Sequence, residues 1–169
     1  MGKVSYTSPC RQRQGGAGNT PVMPWRIIVA DDDPEICTLI KTILRGSLYE
    51  VIVCSDAESV LVRLKRDQPY DLVVSDFMLP GLSGIELVTM IRANPSTANV
   101  PILMISGHSN YAMDARSKGA GADHFLNKPF TVSQLRTTVN TLAGRFRPLP
   151  PEELAAAQAS GASANKTSF

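Results

Sequence analysis

Five short apolar runs, each followed by a stretch with apolar residues at helical spacing, constrain this chain more than any other feature. Arg26–Ala30 opens the series. Asp33 and Pro34 then read as an N-cap and a first helical residue, and Ile36, Leu39, Ile40, Ile43 and Leu44 follow at helical spacing up to Gly46. Val51–Cys54 predicts a second strand, and Ala57, Val60, Leu61 and Leu64 a second helix. Asp71–Ser75 predicts a third strand, and Ile85, Val88 and Ile91 a third helix. Pro101–Ile105 is the fourth strand, followed by a weaker helix over Tyr111–Lys118 that Gly119 ends. His124–Leu126 is the fifth strand, and Thr131–Phe146, with Leu135, Val139 and Leu142, the last helix. Continuous apolar strands are buried on both faces, so this (βα)5 alternation predicts an α/β domain with a parallel sheet covered by helices. The connections are then right-handed crossovers.

The repeats fill residues 25–147 of a 169-residue chain. Residues 1–24 read as a flexible arm, broken by Gly15, Gly16, Gly18, Pro21 and Pro24. Residues 148–169 read as a Pro/Ala/Ser-rich tail, with a marginal helix over Glu152–Ala159. The net charge is only +2, which excludes a surface that is one basic nucleic-acid footprint. Its excess lies in the arm, where Lys3, Arg11 and Arg13 meet no acid; residues 26–147 balance 13 basic against 13 acidic side chains. Arg11 and Arg13 read as a solvated tail. Three cysteines, Cys10, Cys37 and Cys54, without metal-ligand spacing argue against a disulfide framework and a zinc site; Cys37 and Cys54 read as small core residues. No apolar run approaches the roughly 18 residues of a membrane span, and no long apolar region follows Lys3 as in a secretory signal. The expectation is a cytoplasmic protein without membrane contact.

In open parallel sheets, ligands bind at the carboxyl ends of the strands. Here those ends carry Asp31 and Asp32 after the first strand, Asp76 after the third, Ser106 and Gly107 after the fourth, and Lys128, Pro129 and Phe130 after the fifth. Three neighbouring carboxylates each raise the cost of ionising the next. A hard divalent cation such as Mg²⁺ and the Lys128 ammonium would compensate them. A carboxylate so placed is suited to attack phosphorus, giving an acyl phosphate. Taken singly each residue has an ordinary reading: Asp33 as a cap, Ser106 as a turn residue, Lys128-Pro129 as a loop dipeptide. Their joint placement at four strand ends carries the chemistry.

The segments IIVADDDPEI (27–36), DLVVSDFMLPGLSG (71–84), VPILMISG (100–107) and GADHFLNKPFT (121–131) resemble the response-regulator receiver domain of two-component signalling, in order and spacing, over roughly residues 25–147. The resemblance implies a flavodoxin-like, doubly wound sheet of strand order 2-1-3-4-5. It also implies Asp76 as phosphoacceptor; Asp32, Asp76 and the Met78 backbone carbonyl as ligands of Mg²⁺ or Mn²⁺, with Asp31 acting indirectly; Lys128 as the partner of the phosphoryl group; and Ser106 and Phe125 as the switch pair. A cis Lys128-Pro129 bond belongs to the same pattern. Ser83 stands where aspartate is common, and Gly107 where alanine is common, which loosens the loop after the fourth strand. Phe125 lacks a tyrosine hydroxyl, so its inward state would be held by packing alone. The apolar Met78 side chain cannot orient an attacking water, which predicts a long-lived phosphorylated state.

The implied activity is that of a signalling phosphoacceptor rather than an enzyme. It would take its phosphoryl group from a sensor histidine kinase or a phosphotransfer protein. Phosphorylation would shift a pre-existing equilibrium and reshape the helix 4–strand 5–helix 5 face for a downstream protein. A monomer or a weak homodimer through that face is expected, without direct DNA binding. The 22 residues from Pro148 onward are too few for a helix-turn-helix domain, so a stand-alone receiver is the leading expectation. The receiver piece of a longer regulator is the alternative. A haloacid-dehalogenase-type phosphatase would need an aspartate two residues after Asp76, where Met78 stands. A nucleotide loop at GGAGNT (15–20) lacks the preceding strand and the third glycine. His108 and His124 read as loop or strand-edge residues, and Trp25 as a packing anchor.

Overall fold

The computed structural model describes residues 23–107, 111–145, 147–148 and 155. Nearly all of the expected arm and tail, with Cys10, Arg11, Arg13, the 15–20 loop and His108, fall outside them. The elements alternate without exception: β1 (Trp25–Ala30), α1 (Pro34–Ile43), β2 (Tyr49–Cys54), α2 (Ala57–Arg66), β3 (Leu72–Asp76), α3 (Gly84–Ala93), β4 (Ile102–Ser106), α4 (Tyr111–Ala120), β5 (His124–Asn127) and α5 (Val132–Gly144). The five strands form one parallel sheet in the order β2-β1-β3-β4-β5. The order reverses between β1 and β3, which opens a crevice above their carboxyl ends.

Local chemistry starts the helices where the sequence indicates. Asp33 accepts from the Glu35 amide at 2.8 Å ahead of Pro34, and Asp56 accepts from the Ser59 amide at 2.7 Å. Ser83 with Glu86, and Thr131 with Gln134, form reciprocal capping boxes. Ser83, in a place where the family resemblance implies an acid, thus starts α3.

Two apolar layers sandwich the sheet. Trp25, Ile27, Val29, Leu72, Val74, Leu103 and Ile105 meet α1 and α5 on one face. Ile28, Val73, Ile102 and Met104 meet α2 and α3 on the other. The alternation follows from the two-residue period of a strand. Trp25 is an anchor, 1% exposed, and its indole donates to the Arg147 carbonyl at 3.0 Å. Arg147 in turn donates from Nε and a terminal nitrogen to both oxygens of Asp71, each at 3.0 Å. This fork closes the edge of the sheet opposite the carboxyl ends.

Several expectations shift. Burial on both faces holds for β3 and β4 but not for β2 and β5, which are edge strands with exposed positions. Leu39 is 44% exposed although it falls in the apolar spacing of α1; Cys37, Ile40 and Ile43 form the buried stripe, and Leu39 lies off its side. α4 does not stop at Gly119 but runs to Ala120, because the residue with a left-handed backbone is Gly121, at φ +107°.

Candidate functional site

Strands end where their backbone pairing ends, so the last residues of β1, β3, β4 and β5 and the residues just beyond them meet at one edge. Asp31 follows β1, Asp76 closes β3, Ser106 closes β4 and Lys128 follows β5. The Asp76 carboxylate is presented by a tight turn, its Oδ2 accepting from the Met78 amide at 3.0 Å. Asp31 Oδ1 accepts from the Asp33 amide at 2.9 Å.

Lys128 joins the two aspartates. Its ammonium donates to Asp31 Oδ2 at 2.7 Å and to Asp76 Oδ1 at 2.9 Å. The side chains of Asp31 and Asp76 are only 1% and 10% exposed, and that of Lys128 18%. Asp32, next in sequence to Asp31, is exposed. Oxygens of Asp31, Asp32 and Asp76 all lie within 4.8 Å of one another. Three carboxylates against one ammonium leave two negative charges. A divalent cation of oxygen-seeking character would balance them, and the all-carboxylate donor set is compatible with such an ion.

The electrostatics reflect this excess. Burial pushes the Asp76 carboxyl above its ordinary value; the Lys128 hydrogen bond and charge oppose that, and the Asp31 charge adds to it. Burial alone would lower the Lys128 ammonium, but its bonds to Asp31 and Asp76 and their charges outweigh it and hold it above its ordinary value. The ammonium gains from two carboxylates, whereas Asp76 shares one ammonium while buried. Both directions follow from that asymmetry.

The remaining expected site residues lie close by. Ser106 is 2% exposed, and its carbonyl accepts from the Lys128 amide at 2.8 Å. Phe125 pairs in register with Met104 and is half-buried against the α2–α3 layer. Met78 turns its side chain outward, 64% exposed. The Lys128–Pro129 bond is cis. His124 is exposed at the start of β5.

Three contributors escape a reading by motif. Cys37 donates from Sγ to the Asp31 carbonyl at 3.3 Å; burial and the negative charges of Asp31 and Asp33 raise its thiol, which keeps it protonated beneath the acidic edge. Ser75, fully buried, donates to the Asp76 carbonyl at 2.9 Å. Gly84 passes so close beneath Asp76 that an added Cβ would stand 2.2 Å from the Asp76 carbonyl oxygen and 2.9 Å from Met104 Cε. Only a glycine permits this approach of α3 to the strand end. Gly84→Ala is therefore expected to cost about 1–3 kcal/mol through overpacking. Thermal denaturation reads that loss, and an unchanged Tm would show that α3 can withdraw freely.

An acidic edge on a sheet of order 2-1-3-4-5 defines a class of α/β domain arranged for divalent-cation and phosphoryl chemistry. The sequence profile of the response regulator receiver domain matches residues 27–140. The chain belongs to the response-regulator receiver family, whose members act as signalling switches rather than as catalytic enzymes. It is 32% identical over 123 residues to the phosphate regulon transcriptional regulatory protein PhoB of Rhizobium meliloti, an alignment covering 73% of this chain and 54% of that one. The chain thus spans little more than half the length of this relative. A response regulator of Chloroflexus aurantiacus superposes with a TM-score of 0.69 at 30% identity, covering 72% of this chain and 99% of that one. The receiver domain of the sensor histidine kinase PA1611 of Pseudomonas aeruginosa, solved with a magnesium ion coordinated in its active-site cleft, superposes with a TM-score of 0.66 at 27% identity, covering 72% and 99%. Among the described residues no helix is long and apolar enough to cross a membrane.

Proposed function

We propose that this domain takes a phosphoryl group from a phosphohistidine donor, a sensor histidine kinase or a phosphotransfer protein, onto Asp76, and thereby switches a protein-binding face. The observation that carries the reading is the Lys128 ammonium held between Asp31 and Asp76 at 2.7 and 2.9 Å, beside a third carboxylate. A carboxylate oxygen of Asp76 attacks phosphorus, the O–P bond forms as the donor N–P bond breaks, and the imidazole leaves with the electron pair. Lys128 stays beside the modified group and pairs with a phosphoryl oxygen. Asp32, Asp76 and the Met78 carbonyl, with Asp31 acting indirectly, would hold Mg²⁺ or Mn²⁺, which would supply neutralising charge to the transferring group. The magnesium-bearing cleft of the PA1611 receiver supports that choice of ion.

In the switched state the Ser106 hydroxyl donates to a phosphoryl oxygen, and Phe125 follows inward against the layer it already touches. The α4–β5–α5 face then presents a different surface to a downstream protein, as a monomer or a weak homodimer. The alignment with PhoB covers 54% of that relative, and transcriptional regulation belongs to that whole protein. The test is incubation of the intact chain with Mg²⁺ and a phosphorylated histidine kinase, with mass-spectrometric mapping of the alkali- and hydroxylamine-labile label. Label on a residue other than Asp76 refutes the assignment.

The exposed thioether of Met78 offers no group that orients water toward the acyl phosphate. The phosphorylated state is accordingly long-lived. Met78→Asn is expected to shorten its half-life about tenfold, the effect of one well-placed hydrogen bond in the hydrolytic transition state. A pulse-chase of labelled protein measures it; equal half-lives would assign the lifetime to another residue.

A further inference from the structure

Ser75 is out of place by apolar patterning. It shares a face of β3 with Val73, the face that packs on α2 and α3, and it is fully buried there. A buried hydroxyl costs free energy unless it is hydrogen-bonded. Its bond runs to the neighbouring backbone: Ser75 Oγ donates to the Asp76 carbonyl at 2.9 Å. That carbonyl is also the atom against which Gly84 packs. The peptide between Asp76 and Phe77 is held on its other side as well, since the Phe77 amide donates to the Ile105 carbonyl at 2.8 Å. The Phe77 carbonyl in turn accepts from the Gly84 amide at 3.1 Å. Two residues on, the Met78 amide reaches back to Asp76 Oδ2 at 3.0 Å. The turn that presents the carboxylate is therefore clamped at its first peptide, and the Ser75 hydroxyl is the only side-chain donor in that clamp among the described residues.

We propose that Ser75 is a positioning residue for the acidic site: by holding the Asp76 carbonyl it fixes the Asp76–Met78 turn, and with it the carboxylate and backbone oxygens offered to a divalent cation. The inference rests on the function proposed above. Without the hydroxyl the Asp76–Phe77 peptide keeps its bond to Ile105 but loses the hydrogen bond on its carbonyl, and the oxygens of the turn spend less time converged. A hydroxyl at this strand position, rather than the valine that burial alone favours, tunes the site from beneath without touching ligand or phosphoryl group.

The test compares wild type with Ser75→Ala and Ser75→Cys. Mg²⁺ affinity is measured by calorimetric titration of the intact chain, and labelling by a small-molecule acyl phosphate at fixed Mg²⁺. Ser75→Ala is expected to weaken Mg²⁺ binding roughly 3- to 10-fold, the factor that one buried hydrogen bond represents, and to slow labelling at subsaturating Mg²⁺. Saturating Mg²⁺ restores most of the rate. Ser75→Cys, with its weaker donor, falls between the two. A lowered Tm with unchanged Mg²⁺ affinity would make Ser75 merely structural and overturn the proposal, as would wild-type affinity and labelling in Ser75→Ala. If wild type itself binds no Mg²⁺ and takes no label, the proposed function fails and this inference falls with it; failure of the variant comparison alone removes only the role of Ser75.

Discussion

Asp76→Asn loses phosphoryl labelling by about a hundredfold or more, the order expected when the nucleophile itself is removed, while the domain becomes more stable at neutral pH in the absence of metal. An amide keeps the shape of the side chain and one acceptor for Lys128 or the Met78 amide, but it cannot form the acyl phosphate. The gain in stability follows from the direction of the Asp76 shift. Its folded-state carboxyl is raised, first by burial and against the opposing Lys128 bond and charge. A raised carboxyl contributes stability that is full below its unfolded value and lost as pH rises through the folded one. At neutral pH the ionised Asp76 is therefore a burden on the metal-free fold, and asparagine removes it. The Tm difference between variant and wild type should be positive at pH 7 and shrink on acidification through that window. Saturating Mg²⁺ should reverse its sign, because the cation stabilises the intact donor set more than the weakened one. Labelling of Asp76→Asn at the wild-type rate would end the assignment. A lower metal-free Tm at pH 7 would show that the Lys128 pairing outweighs burial.

Lys128→Met has the opposite effect on the fold. The ammonium is the single cation bonded to Asp31 and Asp76 among the described residues, and their side chains are 1% and 10% exposed. Its loss leaves two buried carboxylates beside the third with nothing to pair them among the described residues. Breaking a buried pair from one side costs about 3–5 kcal/mol, and the 18% exposure of Lys128 places this case near the lower end. The raised Lys128 ammonium contributes stability that is full below its unfolded value and lost only as pH rises through the folded one, well into the alkaline range. Any pH dependence of the deficit between acid and neutral pH therefore belongs to the carboxylates. The deficit should shrink on acidification as Asp76 takes up a proton. Millimolar Mg²⁺ should recover more Tm in the variant than in wild type. Labelling should fall even where the variant remains folded, since no other described cation stands at Asp76. A variant as stable as wild type at pH 7 would mean that water already screens the two aspartates.

Much of the fold was legible in one dimension because the physics is local. Strand and helix periods and the Asp33-Pro34 start act over a few residues, and they place Asp31, Asp76, Ser106 and Lys128 at strand ends. What stayed hidden depends on contacts between distant residues. Leu39 has the spacing of a core residue, yet the direction in which α1 meets α5 leaves it in water. Edge position, which no strand shows by itself, leaves β2 and β5 half-exposed.

The division is sharpest at the site. Chain order alone determined which residue types stand at the carboxyl edge, since strand ends follow from apolar runs and turns. Tertiary structure decided which of the adjacent Asp31 and Asp32 is sealed in and which faces solvent: only the Asp31 carboxylate meets an ammonium 97 residues away. It also decided that Gly84 and Ser75 matter, because both act on the Asp76 carbonyl, whose surroundings exist only once α3 has packed beneath β3.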